Sequence, residues 1–231
     1  IIRKWSTFHP EFSFLPRKFK IAVIGSREDR AAMMLHDIGL RIVKVDKKLG
    51  FEVYVGGGQG RTPVIAKKIR SFILANNLLS YLEAILKTYN QLGRRDNIYK
   101  ARIKILVNEL GIEKFKELVE KRFIDMVNKY VMVDNFEITK IKNYFKNPEL
   151  LNVNLPLKQS KNPKFKNWLA LNTLKTKFKN HSIVMVSLKS KMYPPGDLDS
   201  NQMRALVKIS KEHSYGQIRV THEQNLILPL V

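Results

Sequence analysis

Two β-rich runs lie close together in the first quarter of the chain, and they limit the possible fold more than any other feature. GLRIVKV (39–45) and GFEVYVGG (50–57) flank the turn DKKLG, a pattern that predicts an antiparallel hairpin. Residues 18–24 alternate polar and apolar side chains and predict a further strand. Helix formers over residues 1–8 and 27–37 predict short helices, the second of one or two turns.

Longer helical patterns follow this strand region. In SYLE, Ser80 and Glu83 predict a capping box before the helical run LEAILKTYNQL. Two apolar stripes then predict a pair of helices separated by Gly111. The first stripe is Ile103, Leu106, Val107 and Leu110, and the second is Phe115, Leu118, Val119, Phe123 and Met126.

The C-terminal third has its own order of elements. HSIVMVSLK (181–189) predicts a strand, PPG (194–196) a turn, and QIRVTHEQNLILPLV (217–231) two strands around a tight turn. Between them, Asp199 and Gln202 predict the capped start of a helix that carries an apolar face. The predicted order is therefore β-α-β-β.

Strands combined with segregated helices predict an α+β fold. Residues 146–163 contain three prolines without a clear period, so we expect a linker there. The expected organisation is one domain over residues 1–145 and a second over residues 164–231. The chain does not begin with Met and stops inside the strand-like apolar run NLILPLV, which leads us to expect an internal piece of a longer protein.

The charge of the chain favours an anionic partner. Lys and Arg number 42 against 20 Asp and Glu, a net charge of +22. The alternative is a solvated surface, because the chain is also rich in Asn and Ile, as expected from a biased codon composition. Cysteine is absent, which excludes disulfides and thiolate ligands from within the chain. No apolar run is long enough to span a membrane.

Lys18 and Lys20 are the first candidate site residues. In a strand they point to one face, whereas Phe19, Ile21 and Val23 point to the other. Two neighbouring ammonium groups repel each other, and the pair is tolerated if water or an anion lies between them. Spacing alone nevertheless favours the simpler interpretation, an exposed face of an edge strand.

Two further segments carry candidate residues. VGGGQGRTP (55–63) lacks the pattern of a nucleotide loop, so its glycines indicate either close approach to a flat ligand or a tight turn, with Arg61 beside them. GRRDNIYKARIK (93–104) holds five cations, and Tyr99 is its only aromatic residue, which does not favour nucleic-acid binding. The five histidines show no metal-ligand spacing.

Taken together, these strings resemble the sirohaem-containing nitrite and sulfite reductase family. The matching strings are FLPRKFKIAV, HDIGL, YVGGGQGRTP, GRRDNIYKARIKILV and PGD with YGQIRVTHEQNLILP, all in the family's order. The resemblance is weakest over residues 128–180. It implies a sirohaem-domain half with a mixed sheet and flanking helices, followed by a ferredoxin-like half-domain. It also implies an oxidoreductase with sirohaem and a 4Fe-4S cluster, which reduces sulfite to sulfide or nitrite to ammonia by six electrons.

The resemblance also assigns roles to residues. It implies that Lys18 and Lys20 contact the substrate anion, which makes them the candidate catalytic residues. The residues implied for cofactor binding are Arg17, Arg61, Arg95, Asn97, Lys100, Arg102, Arg219, Thr221, Gln224 and Asn225.

The chain departs from the family pattern in one respect. The family's cluster is bound by four cysteines, and this chain has none, so we expect the ligating cysteines to lie outside it. We expect the chain alone to be inactive. The expected partners are sulfite or nitrite and an electron donor, either ferredoxin or a flavoprotein, in a cytoplasmic protein without a membrane or nucleic-acid partner. A basic nucleic-acid-binding module and a cofactor-free structural paralogue are the alternatives.

Overall fold

A computed structural model describes residues 1–26, 28–127, 135–151, 160–191 and 193–231. They divide into two units, Ile1–Lys142 and Asn143–Val231. The predicted linker falls in the second unit, and its residues 152–159 lie outside the described residues, as does Arg27 of the predicted helix over 27–37. Within the described part of the chain, no helix is long and apolar enough to cross a membrane.

The predicted hairpin lies at the centre of a four-stranded sheet in the first unit. The strands are β1 (Ile21–Ile24), β2 (Ile38–Val45), β3 (Lys48–Val55) and β4 (Lys67–Leu74), in that spatial order. β1 runs parallel to β2, and the other pairs are antiparallel, so the sheet is mixed. Asp46 and Lys47, both with positive φ, form the tight turn between β2 and β3.

Helices precede and follow the strands of the first unit. Two short helices come first, α1 (Ile2–Ser6) and α2 (Pro10–Ser13). The longer helices are α3 (Leu78–Leu92), α4 (Ile103–Leu110), α5 (Ile112–Met126) and α6 (Asn135–Tyr144). The predicted apolar stripes are confirmed except at Leu118, which is half-buried and lies outside the core cluster. The buried members are Ile103, Leu106 and Val107 of α4 and Phe115, Val119, Phe123 and Met126 of α5, and Leu110 packs against them.

The predicted capping box in α3 is wrong. The helix begins at Leu78, directly after a 3-10 turn over Ala75–Asn77, so Ser80 and Glu83 lie inside it. Both side chains are buried, and the carboxylate of Glu83 contacts the Nε2 of His9 at 3.1 Å and the Nζ of Lys87 at 2.9 Å. Burial inside the helix, rather than the spacing from Ser80, therefore decides that Glu83 pairs with His9 and Lys87.

The predicted first strand is shorter than expected. Only residues 21–24 pair with β2, and residues 18–20 form an extended segment before the strand. Phe19 and Ile21 pack against the core as predicted, but Val23 is 44% exposed, and Ile24 is buried instead. Ile24 belongs to a second apolar cluster with Met33, Tyr54 and Ala66, so the face of β1 that was expected to be polar is covered as well.

Two other expectations for the first unit need correction. The region predicted as a helix over 27–37 contains a single 3-10 turn, Met33–Leu35, preceded by Ala32 in the left-handed conformation. The sequence patterns also missed β4, whose run KKIRSFIL mixes charged and apolar residues. Pairing with β3, including a bulge, makes this run a strand.

The second unit contains the predicted β-α-β-β order and additional elements. Its sheet consists of β5 (Thr173–Lys175), β6 (Ser182–Val186), β7 (Arg219–Val220) and β8 (Leu226–Leu228), in the order β5-β6-β8-β7. The helices are α7 (Pro163–Asn172), which was not predicted, and α8 (Ser200–His213). Asp199 and Gln202 form the predicted capping box of α8. The predicted α+β fold is confirmed, with helices and a four-stranded sheet in each unit.

Gly57 provides a test of how closely the turn after β3 packs. A Cβ at this position would overlap the carbonyl oxygen of Met34 and lie 2.6 Å from that of His36. We expect Gly57→Ala to lower the free energy of unfolding by about 1–3 kcal/mol, because backbone atoms must shift. Chemical denaturation measures this change. Gly25→Ala is the control, since its Cβ would meet Ile42 at an ordinary 3.5 Å, and equal losses would contradict the prediction.

Candidate anion-binding site

The carboxylate of Asp37 connects the segments that carry most of the candidate residues. Asp37 is fully buried immediately before β2. Its Oδ2 accepts a hydrogen bond of 2.8 Å from the backbone N–H of Lys20, and its backbone carbonyl accepts one of 3.0 Å from the N–H of Gly56. The strings FLPRKFKIAV, HDIGL and YVGGGQGRTP therefore meet at this residue.

Arg102 brings the fourth string, GRRDNIYKARIKILV, to the same carboxylate. Its Nε lies 3.0 Å from Oδ1 of Asp37, and its Nη2 lies 2.8 Å from Oδ1 and 2.7 Å from Oδ2. Burial raises the pKa of Asp37, and the Arg102 guanidinium and the Lys20 N–H oppose that rise. Arg102, which precedes α4, therefore binds a carboxylate of the protein itself.

Lys18 and Lys20 project from the segment that Asp37 fixes. Both are exposed, whereas Phe19 between them packs on the core and stacks on Tyr89 with ring centroids 5.6 Å apart. Neither lysine forms an ion pair with a described residue, unlike Lys68 and Lys87. Two ammonium groups thus remain available to an external anion.

Tyr89 supports the same segment from below. Its hydroxyl donates a hydrogen bond of 2.7 Å to the carbonyl of Ala101, and its ring stacks on Phe19 of the lysine segment. Burial and the nearby charge of Asp37 raise its pKa to about 12, so the phenol keeps its proton. Arg17 is half-buried, and its side chain has no carboxylate partner among the described residues.

Arg95, Asn97 and Lys100 lie in the connection between α3 and α4. Arg95 donates to the backbone carbonyls of Phe14, at 2.8 Å, and Asn90, at 3.0 Å, and so binds the chain just before the lysine segment. The Asn97 side chain accepts a hydrogen bond from the N–H of Tyr99 and caps a 3-10 turn. Lys100 is exposed and has no ion-pair partner in the described part of the chain.

The glycine run after β3 approaches the protein's own helix α4. Gly56, Gly57 and Gly58 are all buried. A Cβ on Gly56 would lie 3.1 Å from Val107, and one on Gly58 would lie 2.9 Å from Cδ of Lys104. The sequence left open whether these glycines allow close approach to a flat ligand or form a tight turn. The structure shows close approach, but the backbone approaches side chains of helix α4 and not a ligand.

Arg61 lies at the tip of the loop that follows these glycines. Paired hydrogen bonds between Gly58 and Val64, of 2.9 and 2.8 Å, close the base of the loop. Arg61 is exposed and forms no ion pair with a described residue, so its guanidinium is available to a ligand.

The four candidates of the second unit divide into two kinds. Thr221 and Asn225 bond to each other at the β7–β8 turn, and the buried Asn225 also accepts a hydrogen bond of 3.1 Å from the N–H of Leu188. These two side chains shape the turn. Arg219 and Gln224 are exposed, although Arg219 donates to Gln217 at 3.0 Å.

Neither a metal-ligand cluster nor a cavity accompanies the exposed candidate cations in the described residues. They contain no group of three or more His, Cys, Asp or Glu side chains that could hold a metal ion. A cavity of about 360 Å³ lies at the opposite end of β2 from Asp37 and is lined by Val45, Asp46, Arg70 and others. The candidate site is therefore defined by its exposed cations rather than by a deep cavity.

Asp37, Tyr89 and Lys104 are site residues that sequence reasoning did not select. Asp37 and Lys104 lie within strings that resemble the family, and Tyr89 lies in a helical apolar run. A carboxylate directly before an apolar strand was the one available signal for Asp37. The partners of all three are distant in sequence, so no local spacing pointed to them.

Two family models match the chain. Residues 1–125 match the nitrite and sulphite reductase 4Fe-4S domain, and residues 180–231 match the nitrite/sulfite reductase ferredoxin-like half domain. The first match alone covers more than half of the chain.

Individual relatives agree with these matches. Chloroplastic ferredoxin–nitrite reductase of Arabidopsis thaliana is 27% identical over 224 residues, which cover 96% of this chain and 33% of the relative. Sulfite reductase (ferredoxin) of Synechococcus elongatus is 39% identical over 118 residues, which cover 48% of this chain and 19% of the relative. This chain therefore spans at most about a third of the length of these relatives.

A solved structure has the same fold. The NirA protein of Mycobacterium tuberculosis superposes with a TM-score of 0.64 over 99% of this chain and 36% of that protein. The sequence identity is 21%, so this likeness concerns the fold alone.

The contact between Asp37 and Arg102 can be tested by Asp37→Asn. The change leaves the guanidinium without its charged partner, and we expect the free energy of unfolding to fall by about 3 kcal/mol. Chemical denaturation measures the loss. Asp96→Asn is the control, because Asp96 pairs with Arg94 at an exposed site and should matter little. Similar behaviour of the two variants would contradict the central role of Asp37.

Proposed function

The chain belongs to the nitrite and sulphite reductase family, and from this premise we propose that it forms part of a reductase for a small oxyanion. The proposed reaction is the six-electron reduction of sulfite to sulfide, or of nitrite to ammonia. One observation carries the proposal. Lys18 and Lys20 present two exposed ammonium groups from a segment whose backbone is bonded to the buried Asp37.

The cofactors of the family are sirohaem and a 4Fe-4S cluster. When bound, they would supply an iron site for the sulfur or nitrogen of the substrate and the electrons for its reduction. This chain contains no cysteine, so we propose that the thiolates that bind the cluster come from residues outside it.

The unpaired cations of this chain fit a carboxylate-rich tetrapyrrole. Arg17, Arg61 and Lys100 are wholly or partly exposed and have no carboxylate partner among the described residues. We propose that they bind sirohaem carboxylates, since Arg can form two parallel hydrogen bonds and Lys contributes a point charge. Arg102, Arg95 and Asn97 already bond to protein groups, so we propose that they act by supporting this surface.

The candidate residues of the second unit also divide into those that bind the cofactor and those that support them. We propose that Arg219 and Gln224, which are exposed, contact the cofactor, and that Thr221 and Asn225 fix the turn that carries them.

Lys18 and Lys20 have two roles in the proposed chemistry. Their positive charges offset the negative charge that accumulates as electrons are added to the bound anion. Their ammonium N–H groups can also donate protons, which the reduction consumes. Both roles need the lysines held in place before the anion binds, and the bond of the Lys20 N–H to Asp37 and the stacking of Phe19 on Tyr89 supply that order.

We propose ferredoxin as the electron donor. The names of the Arabidopsis thaliana and Synechococcus elongatus relatives both include ferredoxin, which favours it over a flavoprotein. The expected cytoplasmic location stays a prediction, because one of these relatives is named as chloroplastic. The nucleic-acid-binding module and the cofactor-free paralogue are not favoured, since both of these relatives are named as reductases.

The roles of Lys18 and Lys20 can be tested in the full-length reductase. We expect Lys18→Met combined with Lys20→Met to lower the turnover of sulfite or nitrite by about 100-fold or more, because charge stabilisation is lost. The sirohaem absorption spectrum should be retained. Lys44→Met is the control, since Lys44 is exposed on β2 within the same sheet. Unchanged turnover in the double variant would overturn the assignment.

The absence of cysteine leads to a further expectation. The 231-residue chain alone should not reduce sulfite or nitrite with reduced methyl viologen, because it cannot supply the thiolates of a cluster. Sulfide and ammonia assays measure the reaction, with the full-length reductase as the positive control. Turnover by the purified chain would show that the proposed division of cofactor ligands is wrong.

A further inference from the structure

Lys104 is a buried cation that the proposed function does not yet use. It lies in the first turn of α4 and is only 7% exposed. Its Nζ donates hydrogen bonds to two backbone carbonyls, those of Gln59 at 3.2 Å and Thr62 at 2.6 Å. It forms no ion pair with any residue that the structure describes. Buried lysines are rare without a carboxylate partner, so this arrangement requires a reason.

The two carbonyls that Lys104 binds lie on either side of Gly60 and Arg61. These four residues form the tip of the loop whose base is closed by the paired hydrogen bonds of Gly58 and Val64. Gly60 has a φ of 98°, and Arg61 is exposed. The ammonium group therefore contacts the loop on both sides of the residue whose guanidinium faces solvent.

The packing under the loop is specific for this lysine. A Cβ on Gly58 would lie 2.9 Å from Cδ of Lys104, so glycine at this position leaves room for the lysine stem. Lys104 also follows Arg102 by two residues, and Arg102 binds Asp37. The loop is thereby connected, through the start of α4, to the carboxylate that fixes the segment of Lys18 and Lys20.

We propose that Lys104 is a positioning residue, whose buried ammonium group fixes loop 59–62 so that Arg61 is held ready to bind an anionic group. This inference rests on the proposed function, which identifies the anionic group as a carboxylate of sirohaem. Lys104 contacts only the loop carbonyls and acts through Arg61. A rigid loop avoids the entropy that ordering it on ligand binding would cost.

Hydrogen exchange in the full-length protein prepared without cofactor tests the first step. We expect Lys104→Met to increase amide exchange in peptides covering residues 56–66 by about tenfold or more, because the two hydrogen bonds are lost while the stem is kept. Lys114→Met is the control, since Lys114 is exposed and pairs with Glu117. If Lys104→Met unfolds the protein, Lys104→Gln is measured in the same way and should also increase the exchange, because its shorter, neutral side chain cannot replace both hydrogen bonds of the ammonium group. Unchanged exchange in the loop would overturn the proposal.

Sirohaem content of the full-length protein, measured by absorbance, tests the second step. We expect Lys104→Met and Arg61→Met each to lower the content, and the double variant to lower it no further than Arg61→Met alone. Additive losses would mean that Lys104 acts independently of Arg61, and would overturn the proposal. If the loop loosens in Lys104→Met while Arg61→Met retains full sirohaem, the assignment of Arg61 to the cofactor fails and the contact of Lys104 with the loop stands.

Discussion

The buried carboxylate of Asp37 is the constraint on which the first unit depends. A charge with no exposure to water is tolerated only when partners surround it, and the partners here come from distant segments. The Lys20 N–H and the Arg102 guanidinium bond to the carboxylate, and the N–H of Gly56 bonds to the backbone carbonyl of the same residue. The start of β1, the start of β2, the end of β3 and the start of α4 are therefore fixed relative to one another.

This constraint separates the cations of the region into two groups. Arg102, Arg95 and Lys104 bond to protein oxygens and so determine where the backbone lies. Lys18 and Lys20 extend from that backbone without a described carboxylate partner. A site arranged in this way presents charge without first having to reorganise, which is the condition under which electrostatic stabilisation of a reacting anion is most effective.

Predictions from the sequence succeeded where a pattern is satisfied by near neighbours. The hairpin and the Asp199–Gln202 capping box each depend on residues close in sequence, and both are present. The same capping spacing at Ser80 and Glu83 failed, because burial within α3 and contact with His9 decide what those side chains do. Strand β4 was missed because its pairing with β3, rather than its own alternation, makes it a strand.

The sequence by itself determined the fold class, the apolar stripes of α4 and α5, the places along the chain where the cations lie, and the absence of thiolates. These properties follow from the amino-acid composition and from the spacing of apolar residues over a few positions, both of which can be read directly from a single sequence. Only the tertiary structure decided which cations bond to the protein and which remain available to a ligand. The physical reason is distance along the chain, because Arg102 meets Asp37 across 65 residues and Lys104 meets Thr62 across 42. No local pattern encodes such contacts, and they form only when the sheet and helices pack.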